Sequence, residues 1–173
     1  MKNILVVGAG GQIGSELVPH LQKIYGTNNV VAADINTSCA HHFQNGPFEV
    51  LDALDAQKFA ELVRKYRVDT IFNLVALLSA TGEKNPQLAW KINMGALMNS
   101  LEIARENHCA VFTPSSIGAF GPTSPKDNTP QDTVMRPTTV YGICKVTGEM
   151  LSDYYFLKYG VDTRSVRFPG IIS

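Results

Sequence analysis

Short runs of β-branched and other apolar residues alternate along this chain with longer segments whose apolar positions recur at helical spacing. The short runs fall at residues 4–7, 30–34, 48–51, 70–74, 111–113 and 163–168, and their length and composition predict strands. The longer segments at 12–25, 56–66, 86–107 and 139–159 predict helices. The first strand, Ile4-Leu5-Val6-Val7, is apolar at every position, which is the mark of a strand covered on both faces. Repeated strand–helix–strand units require right-handed crossovers. The expected architecture is α/β, a doubly wound parallel sheet of about six strands with helices on both faces. Between the second and third strands, residues 36–47 carry His41-His42 and Gly46-Pro47 without helical periodicity, and read as a loop.

The two longest helices are apolar around most of their circumference. Leu88, Trp90, Ile92, Met94 and Leu97 lie on one, and Ile143, Val146, Met150, Tyr154 and Leu157 on the other. A helix covering a sheet needs a single apolar face, so a second asks for another partner. A homodimer through the 86–107 and 139–159 helices meets that demand, as would chain beyond Ser173.

Composition narrows the class. The 173 residues suit one domain, and 45% apolar against 17% charged is globular. Lys plus Arg and Asp plus Glu number 15 each, so no overall field draws the chain to nucleic acid or an anionic membrane. No apolar run approaches the roughly 20 residues of a spanning helix. The N-terminal apolar run breaks into glycines after four residues, so a strand is expected there and no signal peptide. Three widely spaced cysteines, Cys39, Cys109 and Cys144, suggest reduced thiols and a cytoplasmic setting, or a mitochondrial one after loss of a transit peptide. The four histidines have no carboxylate or cysteine at metal-ligand spacing, so no metal site is expected.

The chemistry begins at Gly8-Ala9-Gly10-Gly11-Gln12-Ile13-Gly14, where the first strand gives way to a helix. Glycines at 8, 11 and 14 permit a tight turn and let backbone N–H groups approach a pyrophosphate at the helix N-terminus, the cradle of the Rossmann-type fold. Asp34 ends the second strand, 20 residues past Gly14, where a carboxylate accepts hydrogen bonds from a ribose and repels a 2′-phosphate. The expected cofactor is therefore NAD. Asp52 suits either the adenine amino group or the cap of the next helix. At the far end of the sheet, the fifth strand runs into Ser115-Ser116, whose hydroxyls face the ligand crevice; physics alone does not separate the two. Tyr141 and Lys145 lie one helical turn apart. An ammonium beside a phenol favours the phenolate, which would make Tyr141 a proton acceptor.

Together these residues resemble the extended short-chain dehydrogenase/reductase superfamily, which includes the nucleotide-sugar epimerases. Closer likeness, over essentially the whole chain, is to its NAD-dependent L-threonine 3-dehydrogenases. It is carried by Gly10-Gly11-Gln12-Ile13-Gly14-Ser15-Glu16-Leu17, by Leu77-Leu78-Ser79-Ala80-Thr81-Gly82-Glu83-Lys84, by Pro114-Ser115-Ser116-Ile117-Gly118-Ala119-Phe120-Gly121-Pro122, and by the final Arg164-to-Ser173 segment. The resemblance implies catalytic Ser116, Tyr141 and Lys145. It implies cofactor contacts at Gly8, Gly11, Gln12, Ile13, Gly14, Asp34, Asp52, Ala53, Leu74 and Ala76, and at Phe168, Pro169 and Ile171 around the nicotinamide. Asn93 would support the loop after the fifth strand, and Ser79 would join Ser116 and Tyr141 on the substrate side. Asn73 and Val75 depart from the family's His-Leu-Ala-Ala type run.

The implied activity is oxidation of the β-hydroxyl of L-threonine to 2-amino-3-oxobutyrate, with Tyr141 as general base. A nucleotide-sugar epimerase or dehydratase, or a non-catalytic NAD-binding module, are the alternatives. Family enzymes continue beyond the Pro-Gly-Ile-Ile-Ser segment into a C-terminal substrate lobe. Residues 1–173 are therefore expected to form the NAD-binding domain carrying the catalytic trio, without that lobe.

Overall fold

The computed structural model describes residues 1–171. Its centre is a six-stranded parallel sheet: β1 (Ile4–Val7), β2 (Val30–Asp34), β3 (Phe48–Val50), β4 (Thr70–Asn73), β5 (Ala110–Phe112) and, after a two-residue strand β6 (Ser115–Ser116), β7 (Thr163–Arg164). The spatial order is β3-β2-β1-β4-β5-β7. The direction of winding reverses beside β1, and that switch point is where an open α/β sheet binds its ligand.

Alternation along the strands divides the interior into two cores. Ile4, Val6, Val30 and Ala32 pack under α1 (Gln12–Tyr25) with Val18 and Leu21. Leu5, Val7, Val31, Ala33, Ile71 and Val111 pack under α2 (Ala56–Lys65), α4 (Pro86–Asn107) and α5 (Val140–Tyr159), the last two following a short α3 (Ser79–Gly82). Successive side chains of a strand point to opposite faces. All four residues of β1 are essentially inaccessible, each burial contributing about 1.5–3 kcal/mol.

The four long helices match the sequence expectation to within a residue, the short α3 was not expected, and two local corrections apply. Residues 36–47 are not simply loop, because Thr37–Phe43 forms a 3₁₀ helix started by the Asn36 side chain, which accepts the Ser38 N–H. Asp55 caps α2, accepting the Lys58 N–H at 3.0 Å, whereas Asp52 accepts the Leu54 N–H in a local turn. The helix-cap reading of Asp52 is thereby excluded.

The expected last strand is interrupted. It appears as β7, pairing with β5, and β8 (Arg167–Phe168), pairing with β6. The same residue offset holds on both sides of the break, as Val111 faces Thr163 and Ser116 faces Phe168. Donors at Val111, Thr113 and Ser115 reach carbonyls of Asp162, Arg164 and Val166. Pro114 falls between these donors, where an extended strand turns its N–H to the other edge, so the ladder continues past it without slipping.

Candidate active site

The nucleotide end is built by the β1–α1 turn. Gly8 has φ +82°, a conformation that favours glycine, and a Cβ on it would lie 3.1 Å from backbone atoms of Leu74 and Val75. Its N–H and that of Ala9 share the Ala33 carbonyl, tying the turn to β2. A Cβ on Gly14 would lie 2.5 Å from the Ala9 carbonyl oxygen, so only glycine lets α1 pack this close to the turn. No side chain caps α1, and its first residues, Gln12, Ile13 and Gly14, line a cavity at the helix N-terminus.

That cavity, about 290 Å³, is lined by Gly8, Gly11, Gln12, Ile13 and Gly14 on one side. Leu74 and Ala76 line it from the edge of β4, and Ser116, Tyr141, Lys145, Phe168, Pro169 and Ile171 from the other side. Gln12 reaches the Ile171 carbonyl across it at 3.4 Å. Asp34, Asp52 and Ala53 lie outside this cavity, in an adjoining one of about 440 Å³ that shares Gly8, Gly11, Leu74 and Ala76 with it. Two connected spaces, one acidic and flanked by Leu51 and Ile92, the other holding the hydroxyls, suit the two halves of a dinucleotide. Asp34 has a second duty the sequence did not reveal. Its carboxylate accepts the N–H of Gly10 and that of Asn36, both at 2.8 Å, and so clamps the glycine loop to β2.

Two of the expected residues make contacts that the sequence did not reveal. Asn93 lines a small cavity with Thr113, Pro114 and Ser115 of the link after the fifth strand. It brackets Leu77, accepting its N–H at 2.6 Å and donating to its carbonyl at 3.2 Å, and so braces the loop after β4. Ser79 opens α3 and lines neither cavity, although Leu78 before it does. The specific stretch around α3 acts instead through Glu83, whose carboxylate accepts the Val140 N–H at 2.7 Å while Thr139 caps the same helix. Both hold the start of α5 one residue from Tyr141.

The two serines separate cleanly. Ser115 is buried and donates to the carboxylate of Glu149, whereas Ser116 is partly accessible and accepts the Gly118 N–H at 3.1 Å. Ser116 lines the same cavity as Tyr141, close enough to draw its phenol down against the raising effect of burial. The Lys145 Nζ lies 5.3 Å from the centre of the Tyr141 ring and donates to the Pro114 carbonyl at 2.6 Å. Burial raises the Tyr141 phenol above its ordinary range, and Ser116 draws it part of the way back. The spacing brought the pair together, but the low-polarity wall decides the titration.

Lys145 itself is pushed down to about 8 by burial, against smaller opposing effects of Cys144 and Glu149. Because the folded value lies below the unfolded 10.5, the charged lysine costs stability at neutral pH, and stability recovers as pH rises from about 8 to 10.5. The full cost is about 3 kcal/mol at about 1.4 kcal/mol per pH unit. Lys145→Met is therefore expected to raise the thermal midpoint at pH near 7, less about 1 kcal/mol for the lost Pro114 hydrogen bond. The gain should vanish above about pH 10, and scanning fluorimetry across that window would show it. A difference independent of pH would refute this account.

Glu149 and Arg167 were not singled out by the sequence, although Tyr141, Lys145 and Glu149 form an i, i+4, i+8 stripe on one face of α5. Arg167 donates to Glu149 through Nε at 2.9 Å and Nη2 at 2.7 Å, and through Nη1 to the Gln131 carbonyl at 3.0 Å. Both side chains are largely buried, and Arg167 stacks over the Phe120 ring. Among the described residues no cluster of His, Cys, Asp or Glu could hold a metal ion.

A model of the NAD dependent epimerase/dehydratase family matches residues 4–173. The chain belongs to that family. It is 59% identical over 174 aligned residues to an uncharacterized epimerase/dehydratase of Staphylococcus aureus strain MRSA252, covering 100% of this chain and 54% of that protein. Among solved structures it is similar to an L-threonine dehydrogenase from Clostridium difficile, at 54% identity and TM-score 0.94, covering 100% of this chain and 55% of that one. It is also similar to the holo form of a GalE-like L-threonine dehydrogenase from Cupriavidus necator, at 50% identity and TM-score 0.95, covering 99% and 56%. The chain thus spans about half the length of the relatives it matches.

The residues present fit the family's NAD. The glycine turn leaves no room for side chains, the uncapped N-terminus of α1 offers donors to a diphosphate, and Asp34 and Asp52 border the adjoining space. Bound there, NAD supplies the hydride acceptor that no side chain of this chain can be.

Proposed function

We propose that the chain carries the cofactor half and the catalytic trio of an NAD-dependent L-threonine 3-dehydrogenase, oxidising the β-hydroxyl to give 2-amino-3-oxobutyrate. The observation that carries the reading is one cavity lined at once by the glycine turn and by Ser116, Tyr141 and Lys145. Ser116 orients the substrate hydroxyl in the cavity it lines with Tyr141, which sets the path for the proton. Tyr141 accepts that proton as the carbinol carbon gives up its hydride. Lys145, held by the Pro114 carbonyl, has its remaining N–H donors for the cofactor's ribose and for the phenolate as it forms. The likeness to solved L-threonine dehydrogenases at 50–54% identity supports the choice of substrate.

The reading includes a homodimer through α4 and α5, supported by apolar side chains left on their outer faces. Leu157 is 80% exposed, Met150 66% and Phe156 57%. It also includes a cytoplasmic setting, supported by the three buried cysteines remaining free thiols. The deciding experiment is NADH formation with L-threonine and NAD. Turnover with threonine and none with L-serine or a UDP-sugar is the expected result. Threonine-independent binding of NAD without turnover would reduce the chain to a cofactor-binding module.

A further inference from the structure

The carboxylate of Glu149 meets three things at once. It receives the hydroxyl of Ser115 and the fork of Arg167, and it sits one helical turn beyond Lys145 on α5. Ser115 and Arg167 are directly paired residues of β6 and β8. The next pair on this ladder is Ser116 with Phe168, which both line the cavity. One side chain therefore staples the two strands that carry the reactive hydroxyl and the wall opposite it.

We infer that Glu149 is a positioning residue of this site: it locks β6 to β8 beneath Ser116 and Phe168, and it supplies the counter-charge that keeps the Lys145 ammonium available to a bound dinucleotide. The inference rests on reading the cavity as an NAD site. Three features argue that the pairing is more than packing. Arg167 presents both Nε and Nη2 to one carboxylate, a forked geometry that fixes orientation as well as distance. The pair is largely shielded from water, so either charge alone would be costly. Among the described residues Lys145 has no other acidic neighbour. It donates to the Pro114 carbonyl and shares its cavities with Tyr141, Cys144 and Glu149 of α5, Ser115 of β6, Asn73 of β4 and Asn93 of α4, while Arg167 of β8 reaches it through Glu149. Of these only Glu149 is negatively charged at neutral pH. Arg167 and Lys145 both hold it so, drawing its carboxyl below the usual range against the opposing effect of burial.

The test is binding of NADH to the chain by fluorescence titration, from about pH 6 to about pH 10, without threonine. Affinity should fall with a midpoint near that of Lys145. Glu149→Gln keeps the volume and an acceptor for Ser115 but removes the charge, so the midpoint should move down. Binding should be about fivefold weaker near pH 8 and nearly unchanged near pH 6. Glu149→Asp, which restores the charge, should return the midpoint. Arg167→Lys keeps Lys145's counter-charge but loses the fork, so affinity should fall by a similar factor at every pH with no change of midpoint.

A purely structural Glu149 predicts pH-independent weakening in Glu149→Gln, and that result, or parent-like binding throughout, overturns the inference. A parent chain whose binding is flat across the range does so as well. Should Glu149→Gln fail to fold, Arg167→Lys decides alone, and unaltered binding in it counts against the lock. Failure of threonine oxidation would leave all of these binding results standing, so the two readings fall separately.

Discussion

Tyr141→Phe is expected to lower threonine-dependent NADH formation by about 10²- to 10⁴-fold, while NADH binding changes by less than about twofold. The asymmetry follows from what the substitution removes. The ring remains, and with it the contact against Gly118, where an added Cβ would sit 3.4 Å away, so the wall of the cavity keeps its shape. What goes is the hydroxyl that Ser116 engages. Of the side chains lining the cavity, Tyr141 and Lys145 are the titratable ones, and Lys145 spends a donor on Pro114. Burial holds the phenol protonated at neutral pH, so the parent rate should rise with pH as the phenolate forms, and rise earlier when positive charge enters the cavity. The mutant's residual rate should lack that limb. If Tyr141→Phe kept more than about a tenth of the activity, the proton would have to leave by another route.

Gly14→Val should instead weaken cofactor binding strongly, the property that Tyr141→Phe leaves nearly unchanged. Its Cβ would sit 2.5 Å from the Ala9 carbonyl oxygen and 2.6 Å from the Ala9 Cα, and neither is the movable end of a side chain. The helix must back away from the turn, or the turn must open. Overpacking of this kind costs about 3 kcal/mol, a loss of order 10 °C in the thermal midpoint for a chain of this size. Moving the start of α1 also takes its N–H groups away from any diphosphate, so NADH affinity should fall about a hundredfold, equivalent to about 2.7 kcal/mol. Calorimetric unfolding and titration with NADH read the two effects separately. Unaltered affinity in a destabilised but folded Gly14→Val would show that the α1 terminus is not the diphosphate site.

Much of this arrangement was legible beforehand because its determinants are local. β1 is apolar throughout because both its faces are covered, and the β1–α1 turn is written in glycines because backbone meets backbone there. The contacts that the sequence did not reveal mostly depend on distant partners. Asn93 lies on a helix that passes several loops, and its hydrogen bonds to Leu77 show which one it braces. Asp52 is the exception, left open between two roles and decided locally, since it closes a turn with Leu54 while Asp55 caps α2. Spacing placed Lys145 beside Tyr141, but it carries no information about the desolvation that dominates both side chains. Glu149 was visible as the third member of a stripe. Its importance appears only when β8 brings Arg167 beneath α5, an approach set by strand pairing 18 residues away.

The unslipped ladder through Pro114 has a consequence for how such a chain can vary. Along an extended strand, adjacent side chains face opposite ways, so Ser115 turns inward to Glu149 while Ser116 meets the phenol. Substitutions in residues 111–114 change one position at a time and leave that alternation intact. A single-residue deletion there would move every following side chain to the other face, drawing Ser116 into the place of Ser115 and Ile117 into that of Ser116. The two neighbouring serines would then provide no safety, since neither would remain beside the phenol. Length, more than composition, is the property this edge of the sheet must conserve.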